Sequence, residues 1–165
     1  MQELSTKHFH PEVVEAALEV LVNVELDETA SQLPTTSIEQ ERFAYFYRDR
    51  LTNLFVYDYL PLLALYDLKE QPMYVYTIRL HNFSQYNATF SWKEGDEFLI
   101  KFAEFLEKLY VDKYVFRIEG DDFMLLSSSK LDDIEEKLHT FPLLEGSRVS
   151  LSVEERYAKN LEEII

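Results

Sequence analysis

The feature that most restricts the fold of this chain is a very short connection between two strand-like segments. Residues 113–119 and 123–129 are each rich in apolar side chains and have the length of a typical strand. Only Gly120-Asp121-Asp122 separates them, and glycine readily adopts the positive φ that a tight hairpin turn requires. The whole chain of 165 residues contains only three glycines, so the placement of one here is informative. The sequence therefore predicts an antiparallel β-hairpin.

The segments around this hairpin alternate between strands and helices. Residues 73–79 (MYVYTIR) are β-branched and aromatic, and residues 148–155 (RVSLSVEE) alternate between apolar and polar side chains, so both predict strands. Residues 95–110 repeat apolar side chains every three or four positions, which predicts an amphipathic helix, and residues 131–141 predict a second one. The order strand, helix, hairpin, helix, strand predicts an α+β sandwich with a mainly antiparallel central sheet flanked by helices.

The first part of the chain predicts helices and a linker. Residues 11–24 carry apolar side chains at helical spacing, and the polar, Ser/Thr-rich segment that follows predicts a linker. A second helix is predicted to begin at a cap near Ser37 and to run to about Leu68. We therefore divide the chain into an N-terminal helix and linker, residues 1–36, and a main domain, residues 37–165.

The composition excludes several classes of site and partner. The chain contains 16 Lys and Arg residues and 31 Asp and Glu residues, which gives a net charge of −15. A surface this acidic repels phosphate backbones and anionic lipids, so we expect neither nucleic-acid binding nor membrane insertion. The chain has no cysteine, which excludes disulfides, thiolate zinc sites and thiol catalysis. We expect a cytoplasmic protein.

Four blocks of the sequence resemble the motifs of the GGDEF family, the diguanylate cyclases. In chain order they are DRLTNL (49–54), RLHNF (79–83), Asn87 with Gly95-Asp96, and EGDDF (119–123). They resemble the family patterns D-x-L-T-G-L, D-[LI]-D-x-F, N-D-x-x-G-H-x-x-G-D and GGDEF, with Asn53 in place of a glycine. Because the four blocks follow the family order, the chain is identified as a member, and the resemblance implies the nucleotide-cyclase-like sandwich fold. The last residues resemble the segment that enters the final helix of the family, so we expect that helix to be missing.

The resemblance implies a catalytic site that has degenerated. In the family, divalent cations are held by the first Asp of the strand-end motif and by the acidic third residue of the signature. Here the third residue is Asp121, followed by Asp122 and Phe123, whereas Arg79 replaces the strand-end Asp. A guanidinium cannot ligate a metal ion. Glu119 also replaces the glycine before Gly120 and adds bulk and negative charge. Because Arg79 occupies the partner ligand position, Asp121 is a doubtful Mg²⁺ ligand. Alternatively, Asp121 and Asp122 are plain turn residues and Arg79 pairs with one of them.

The residues that read the base in the family are kept. Asn87 and Asp96 match the family's Asn and Asp, and a carboxylate accepts well from the N1–H and N2–H₂ groups of guanine. The resemblance therefore implies a guanine-binding pair. Two structural alternatives remain open: Asp96 caps the helix beside it, and Asn87 closes a turn.

The leading functional hypothesis is a catalytically degenerate GGDEF domain that acts as a regulatory or binding module in bacterial cyclic di-GMP signalling. Its partners would be GTP or another guanine nucleotide, a second copy in a homodimer, or an upstream signalling domain. Mg²⁺ would be present only with a bound nucleotide. One alternative is a residually active diguanylate cyclase that makes cyclic di-GMP from two GTP molecules. Another is a protein–protein dimerisation module without nucleotide.

A second resemblance lies at the start of the chain. Residues 7–14 (KHFHPEVV) are similar to the closing helix of HD-GYP phosphodiesterase domains, often H-F-D-P-x-V-V. This resemblance implies that residues 1–36 are a remnant of an upstream signalling domain. An unrelated short helix is the alternative.

Overall fold

The computed structural model describes residues 36–66 and 71–164, together with Glu12, Val13, Glu15, Ala16 and Glu19. Those five residues are helical, as the apolar spacing of residues 11–24 predicts. The predicted linker up to residue 35 and most of the HD-GYP-like segment lie outside the described residues. The chain divides into two compact units, residues 1–32 and 33–165, and the second contains all the elements below.

A five-stranded sheet forms the centre of this unit. Its strands are β1 (Phe55–Val56), β2 (Met73–His81), β3 (Tyr114–Glu119), β4 (Asp122–Ser127) and β5 (Ser150–Ala158). Their order across the sheet is β1-β3-β4-β2-β5, and all neighbours are antiparallel except the short parallel pair β1–β3. The predicted mainly antiparallel α+β fold is confirmed. The predicted hairpin is β3–β4, and Gly120 at its turn has a φ of +53°.

Five α-helices accompany the sheet within the described residues of this unit. They are α1 (Ser37–Tyr47), α2 (Leu60–Tyr66), α3 (Phe83–Phe90), α4 (Trp92–Leu109) and α5 (Ile134–His139). The helices predicted over 95–110 and 131–141 are confirmed as α4 and α5, whereas the prediction did not include α3. None of the helices in the described part of the chain is long and apolar enough to cross a membrane.

The helix predicted from Ser37 does begin there, but its predicted extension to about Leu68 as a single helix is wrong. Helix α1 ends at Tyr47, and a turn in which Asn53 has a φ of +60° leads into β1 before α2 begins. The carboxylate of Asp49 accepts hydrogen bonds from the backbone N–H and the hydroxyl of Thr52, at 2.8 and 2.7 Å. This side-chain bonding gives the backbone an alternative to the helix, which is why the helix stops.

The core lies on both faces of the sheet. On one face, α4 buries an apolar stripe that includes Phe98 and Phe102 against residues such as Ile78 and Phe123. On the other face, α2 and the 3-10 turn before it pack on side chains such as Val75 of β2. Successive side chains of β2 therefore pack into the cores on opposite faces of the sheet, because side chains along a strand alternate between the two faces. The polar end of β2 and the turn of the hairpin are left to form a site.

Candidate functional site

A cavity of about 500 Å³ opens where the end of β2 meets the turn of the β3–β4 hairpin. Its walls come from the β2–α3 junction, one face of α4 and the turn. Asn87, Asp96, Gly120 and Asp121 all line it, so the structure brings together residues from three separate segments of the chain. Together they surround a space large enough for a small organic ligand.

Helix α4 presents Asp96 to the cavity from within the helix. Trp92, Asp96 and Leu99 line the cavity at positions i, i+4 and i+7 of α4, a spacing that places side chains on one helical face. The helix is capped by Ser91, whose hydroxyl accepts a hydrogen bond from the N–H of Glu94 at 3.3 Å. The alternative that Asp96 caps the helix is therefore wrong. Trp92 is a member of the site that the sequence reasoning missed.

Asn87 is held by very close packing between α3 and α4. A Cβ atom placed on Gly95 would lie 1.8 Å from Asn87 Oδ1, so only glycine permits this approach. Asn87 Oδ1 is buried and has no hydrogen-bond partner among the described residues. Because Asn87 lies inside α3, the alternative that it closes a turn is wrong. Exchange of its O and N atoms by an amide flip lets the side chain offer either group to a ligand.

Arg117 fixes the turn of the hairpin. Its Nε and Nη2 donate to the carbonyl of Gly120 at 2.9 and 2.7 Å, and its Nη1 donates to Asp49 Oδ1 at 2.8 Å. Burial alone would raise the pKa of Asp49, but the hydrogen bonds from Arg117 and Thr52 outweigh it and bring that pKa below its ordinary value. The signature turn is thus tied to the DRLTNL block. The sequence reasoning missed this linkage, although Asp49 belongs to a block that it had identified.

Arg79 lies on β2 directly opposite Asp122 of β4. Its Nε is 3.7 Å from Asp122 Oδ2, and its Nη1 is 3.5 Å from Glu154 Oε2. The prediction that Arg79 pairs with a carboxylate of the hairpin is confirmed for Asp122. The pKa of Asp122 is raised, first by burial and then by the charge of Asp121, and the nearby Arg79 only partly offsets this.

The remaining signature residues have different surroundings. Glu119 is exposed, and Phe123 is completely buried in the core beneath the turn. Among the residues that the structure describes, Arg79, Glu119, Asp122 and Phe123 do not line the cavity that holds Asn87 and Asp96. Asn87 and Asp96 therefore share the cavity with Asp121, one of the two metal-binding positions expected from the family, whereas Arg79, at the other position, lies outside its lining.

The residues near the hairpin do not fit a magnesium site. Mg²⁺ takes oxygen ligands in near-octahedral geometry. Asp121 and Asp122 supply carboxylates, but the positive charge of Arg79 lies beside Asp122. Within the described ranges, no three His, Asp or Glu side chains come together in a way that could hold a metal ion.

The chain was compared with models of protein families, with curated protein sequences and with solved structures. The sequence model of the family described as "Diguanylate cyclase, GGDEF domain" matches residues 47–142. No curated protein sequence matches the chain. The coiled coil and GGDEF domain of DgcB from Caulobacter crescentus, solved in complex with c-di-GMP, is similar with a TM-score of 0.60 and 15% identity. The match covers 93% of this chain and 85% of that one.

Two further solved structures share the fold. A diguanylate cyclase/phosphodiesterase from Caldicellulosiruptor saccharolyticus has a TM-score of 0.57 and 16% identity, with 74% of this chain and 82% of that one covered. Diguanylate cyclase SiaD from Pseudomonas aeruginosa, in complex with its activator SiaC, has a TM-score of 0.56 and 17% identity, with 91% and 59% covered. The family match spans more than half of the chain, and its four motif blocks meet at one end of the sheet. The chain therefore belongs to the GGDEF family of diguanylate cyclase domains, the family of cyclic di-GMP signalling.

Proposed function

We propose that this domain is a catalytically degenerate GGDEF module that binds the base of a guanine nucleotide and acts as a regulatory unit in cyclic di-GMP signalling. The observation that carries the proposal is Arg79, which stands at the strand-end position of the metal-binding Asp and forms an ion pair with Asp122. The preserved base-reading pair, Asn87 and Asp96, supports retained binding.

The argument against catalysis rests on charge. A diguanylate cyclase joins two GTP molecules when the 3′-hydroxyl of one attacks the α-phosphorus of the other, and divalent cations offset the charge of the phosphates. Two unit positive charges about 4 Å apart repel by roughly 1–4 kcal/mol. Arg79 therefore removes one metal ligand and also repels a cation at the same place. Its pairing with Asp122 also holds the guanidinium next to Asp121, the remaining expected ligand.

The argument for base binding rests on the cavity. Asp96 offers a carboxylate to the N1–H and N2–H₂ edge of guanine, and Asn87 contributes an amide from the neighbouring helix. The glycine at position 95 lets these two helices approach closely enough for both side chains to reach one space. Such a pair, once positioned by rigid helices, can recognise the base even where the phosphate chemistry is lost.

A second candidate function, binding of another protein, is favoured by the surface of α1. Ile38, Tyr45 and Phe46 are each more than half exposed on this helix. We propose that α1, at the start of the main domain (residues 37–165), and the preceding residues 1–36 link this domain to a second copy or to an upstream signalling domain. SiaD, which shares the fold, was solved with a protein activator.

The decisive experiment combines a product assay with a binding measurement. The purified chain is incubated with GTP and Mg²⁺, and the mixture is analysed for cyclic di-GMP. GMP and GTP are then titrated in by calorimetry. We expect saturable binding and no product, and we expect Asp96→Asn to weaken the binding. Product formation by the unmodified chain would contradict the degenerate assignment, and absence of binding would leave the protein-binding role.

The variant Arg79→Asp tests the charge argument directly. It restores the carboxylate expected at the strand end and removes the repelling charge, so it should create Mg²⁺-dependent tightening of GTP binding by about tenfold or more. Arg42→Asp, which makes the same charge change on the exposed surface of α1, is the control. Equal responses of the two variants would show that the effect is only one of net charge.

A further inference from the structure

We infer that the cavity selects a guanine derivative with at most one phosphate, bound without a metal ion and with its base stacked on Trp92. This inference rests on the proposed function and names its ligand class and an additional specificity residue. Three features carry it: an exposed indole at the cavity wall, a carboxylate one helical turn away, and a hairpin turn beside which both neighbouring arginines, on β2 and β3, are already paired.

The first feature is Trp92. Its side chain is 76% exposed although it lines the cavity, and it begins helix α4. A large aromatic side chain left in solvent beside a cavity offers a flat face to a planar ligand. Stacking of a nucleic-acid base on an aromatic side chain changes affinity by about five- to 150-fold.

The second feature is the position of Asp96 relative to Trp92. The two residues are four positions apart on α4, so their Cβ atoms are about 5–6 Å from each other on one face. A planar base that stacks on the indole therefore brings an edge to the Asp96 carboxylate. Guanine presents two N–H donor groups on that edge, whereas adenine presents an unprotonated N1 there, which a carboxylate repels.

The third feature is the charge at the hairpin turn. Arg117 lines the cavity, but its three nitrogens are engaged by Asp49 and the Gly120 carbonyl. Arg79 is paired with Asp122 and Glu154. The carboxylate of Asp121 in the lining, with the exposed Glu119 on the strand next to it, then leaves this end of the cavity acidic, and every added phosphate increases the repulsion.

One phosphate is still acceptable at this end. The first turn of α3, from Phe83, lines the cavity, and the backbone N–H groups at a helix N-terminus favour a single anionic group. A triphosphate carries more negative charge than one helix end offsets. The expected order of affinity is therefore guanosine and GMP first, and GTP clearly weaker, with little effect of Mg²⁺.

The chain carries its own probe for this test, because Trp92 is its only tryptophan. Guanosine, GMP, GTP and adenosine are titrated with and without Mg²⁺ while the tryptophan fluorescence is followed. We expect guanosine and GMP to quench it at similar concentrations and GTP and adenosine to bind roughly tenfold more weakly or worse. Mg²⁺ should change the GTP affinity by less than about twofold.

Variants measured by calorimetry separate the three features. Trp92→Ala should weaken guanosine binding by about fivefold or more, while Trp92→Phe, which keeps an aromatic face, should lose less. Asp96→Asn should remove the preference over adenosine, and Glu104→Gln, an exposed carboxylate of α4 outside the cavity, should change nothing. Asp121→Asn should narrow the difference in affinity between guanosine and GTP, because it removes one negative charge from the cavity lining.

The outcomes distinguish this inference from the proposed function. If GTP with Mg²⁺ binds more tightly than guanosine, the inference is overturned and the proposed base binding stands. If adenosine binds as well as guanosine, or if Trp92→Ala binds guanosine unchanged, the inference is also overturned. If no guanine compound binds, both fail together.

Discussion

Arg117 joins two parts of the site that are far apart in the sequence. It links Asp49, in the turn after α1, to the carbonyl of Gly120 in the hairpin turn. The side chains of Arg117 and Asp49 are only 14% and 24% exposed, so loss of one partner leaves the other poorly solvated. We expect Asp49→Asn to lower the free energy of unfolding at pH 7 by about 1–3 kcal/mol.

This contribution of Asp49 should depend on pH in one direction. Its pKa is lower in the folded state than the ordinary value of 3.8, so its stabilising effect is complete above that value and is lost as the pH falls. The difference in unfolding free energy between the unmodified chain and Asp49→Asn should therefore shrink progressively below about pH 5. Urea unfolding at several pH values measures it, with the exposed Asp58→Asn as control. A difference that stays constant down to pH 2 would contradict the assignment.

A substitution at Gly95 should change ligand binding much more than it changes the stability of the fold. In Gly95→Ala the new Cβ would displace Asn87 Oδ1, which is the end of a short side chain that can rotate away. Because alanine favours the helix by up to about 1 kcal/mol over glycine, we expect little net change in stability but a loss of guanosine binding of about tenfold or more. In an Asn87→Ala background the clash is absent, so Gly95→Ala should then stabilise the protein by about 0.5–1 kcal/mol. Thermal unfolding and calorimetry give the two readouts.

At the scale of the element, the junction between α3 and α4 stores strain. Ser91 has a φ of 134° and a ψ of 164°, a region that is nearly confined to glycine, and it occupies the glycine position of the N-D-x-x-G-H-x-x-G-D pattern. Its hydroxyl nevertheless caps α4. Replacing a serine cap with glycine costs a few tenths of a kcal/mol, whereas the strain relieved is about 1–3 kcal/mol. We expect Ser91→Gly to raise stability by about 1 kcal/mol in urea unfolding, and Ser91→Ala, which loses the cap and keeps the strain, to lower it.

Elements with strong local signals could be predicted from the sequence. The β3–β4 hairpin and α4 were correct because a turn glycine and a long apolar stripe act within a few residues. The interruption between α1 and α2 was not predicted, because the turn at Asp49 is completed by a hydrogen bond from the distant Arg117. Strand β1 was missed for a related reason: its two residues pair in parallel with β3, which is far along the chain.

In the candidate site, too, features that depend on contacts between separate elements could not be predicted from the sequence. Asn87, Asp96 and Asp121 could be proposed from motif spacing, and the structure places all three around one cavity. Trp92, at the histidine position of the N-D-x-x-G-H-x-x-G-D pattern, was not proposed, because its place in the cavity lining depends on the direction in which α4 meets the hairpin. The contact between Asn87 and Gly95 could not be predicted either, because it depends on how closely α3 and α4 pack.

At the scale of the whole molecule, the start of the main domain is fixed by the cap of α1. Thr36 and Glu39 form a reciprocal pair: the hydroxyl of Thr36 accepts from the N–H of Glu39, and the carboxylate of Glu39 accepts from the N–H of Thr36. The boundary predicted from the sequence, between residues 36 and 37, divides this capping box. The unit defined by packing begins at residue 33 and retains it.

A truncation experiment follows from this difference. Both cores of the sheet lie within residues 33–165, so a chain of residues 33–165 should keep the fold and stability of its unit. A chain of residues 37–165 should fold as well but lose the cap, at a cost of about 1 kcal/mol, visible as earlier melting of α1 in urea unfolding followed by circular dichroism. In residues 33–165, Thr36→Ala should reproduce that loss. If the shorter chain and the Thr36→Ala variant were both as stable as residues 33–165, the capping box would contribute nothing, because α1 would then be held by Phe43 and Tyr47 against the sheet alone.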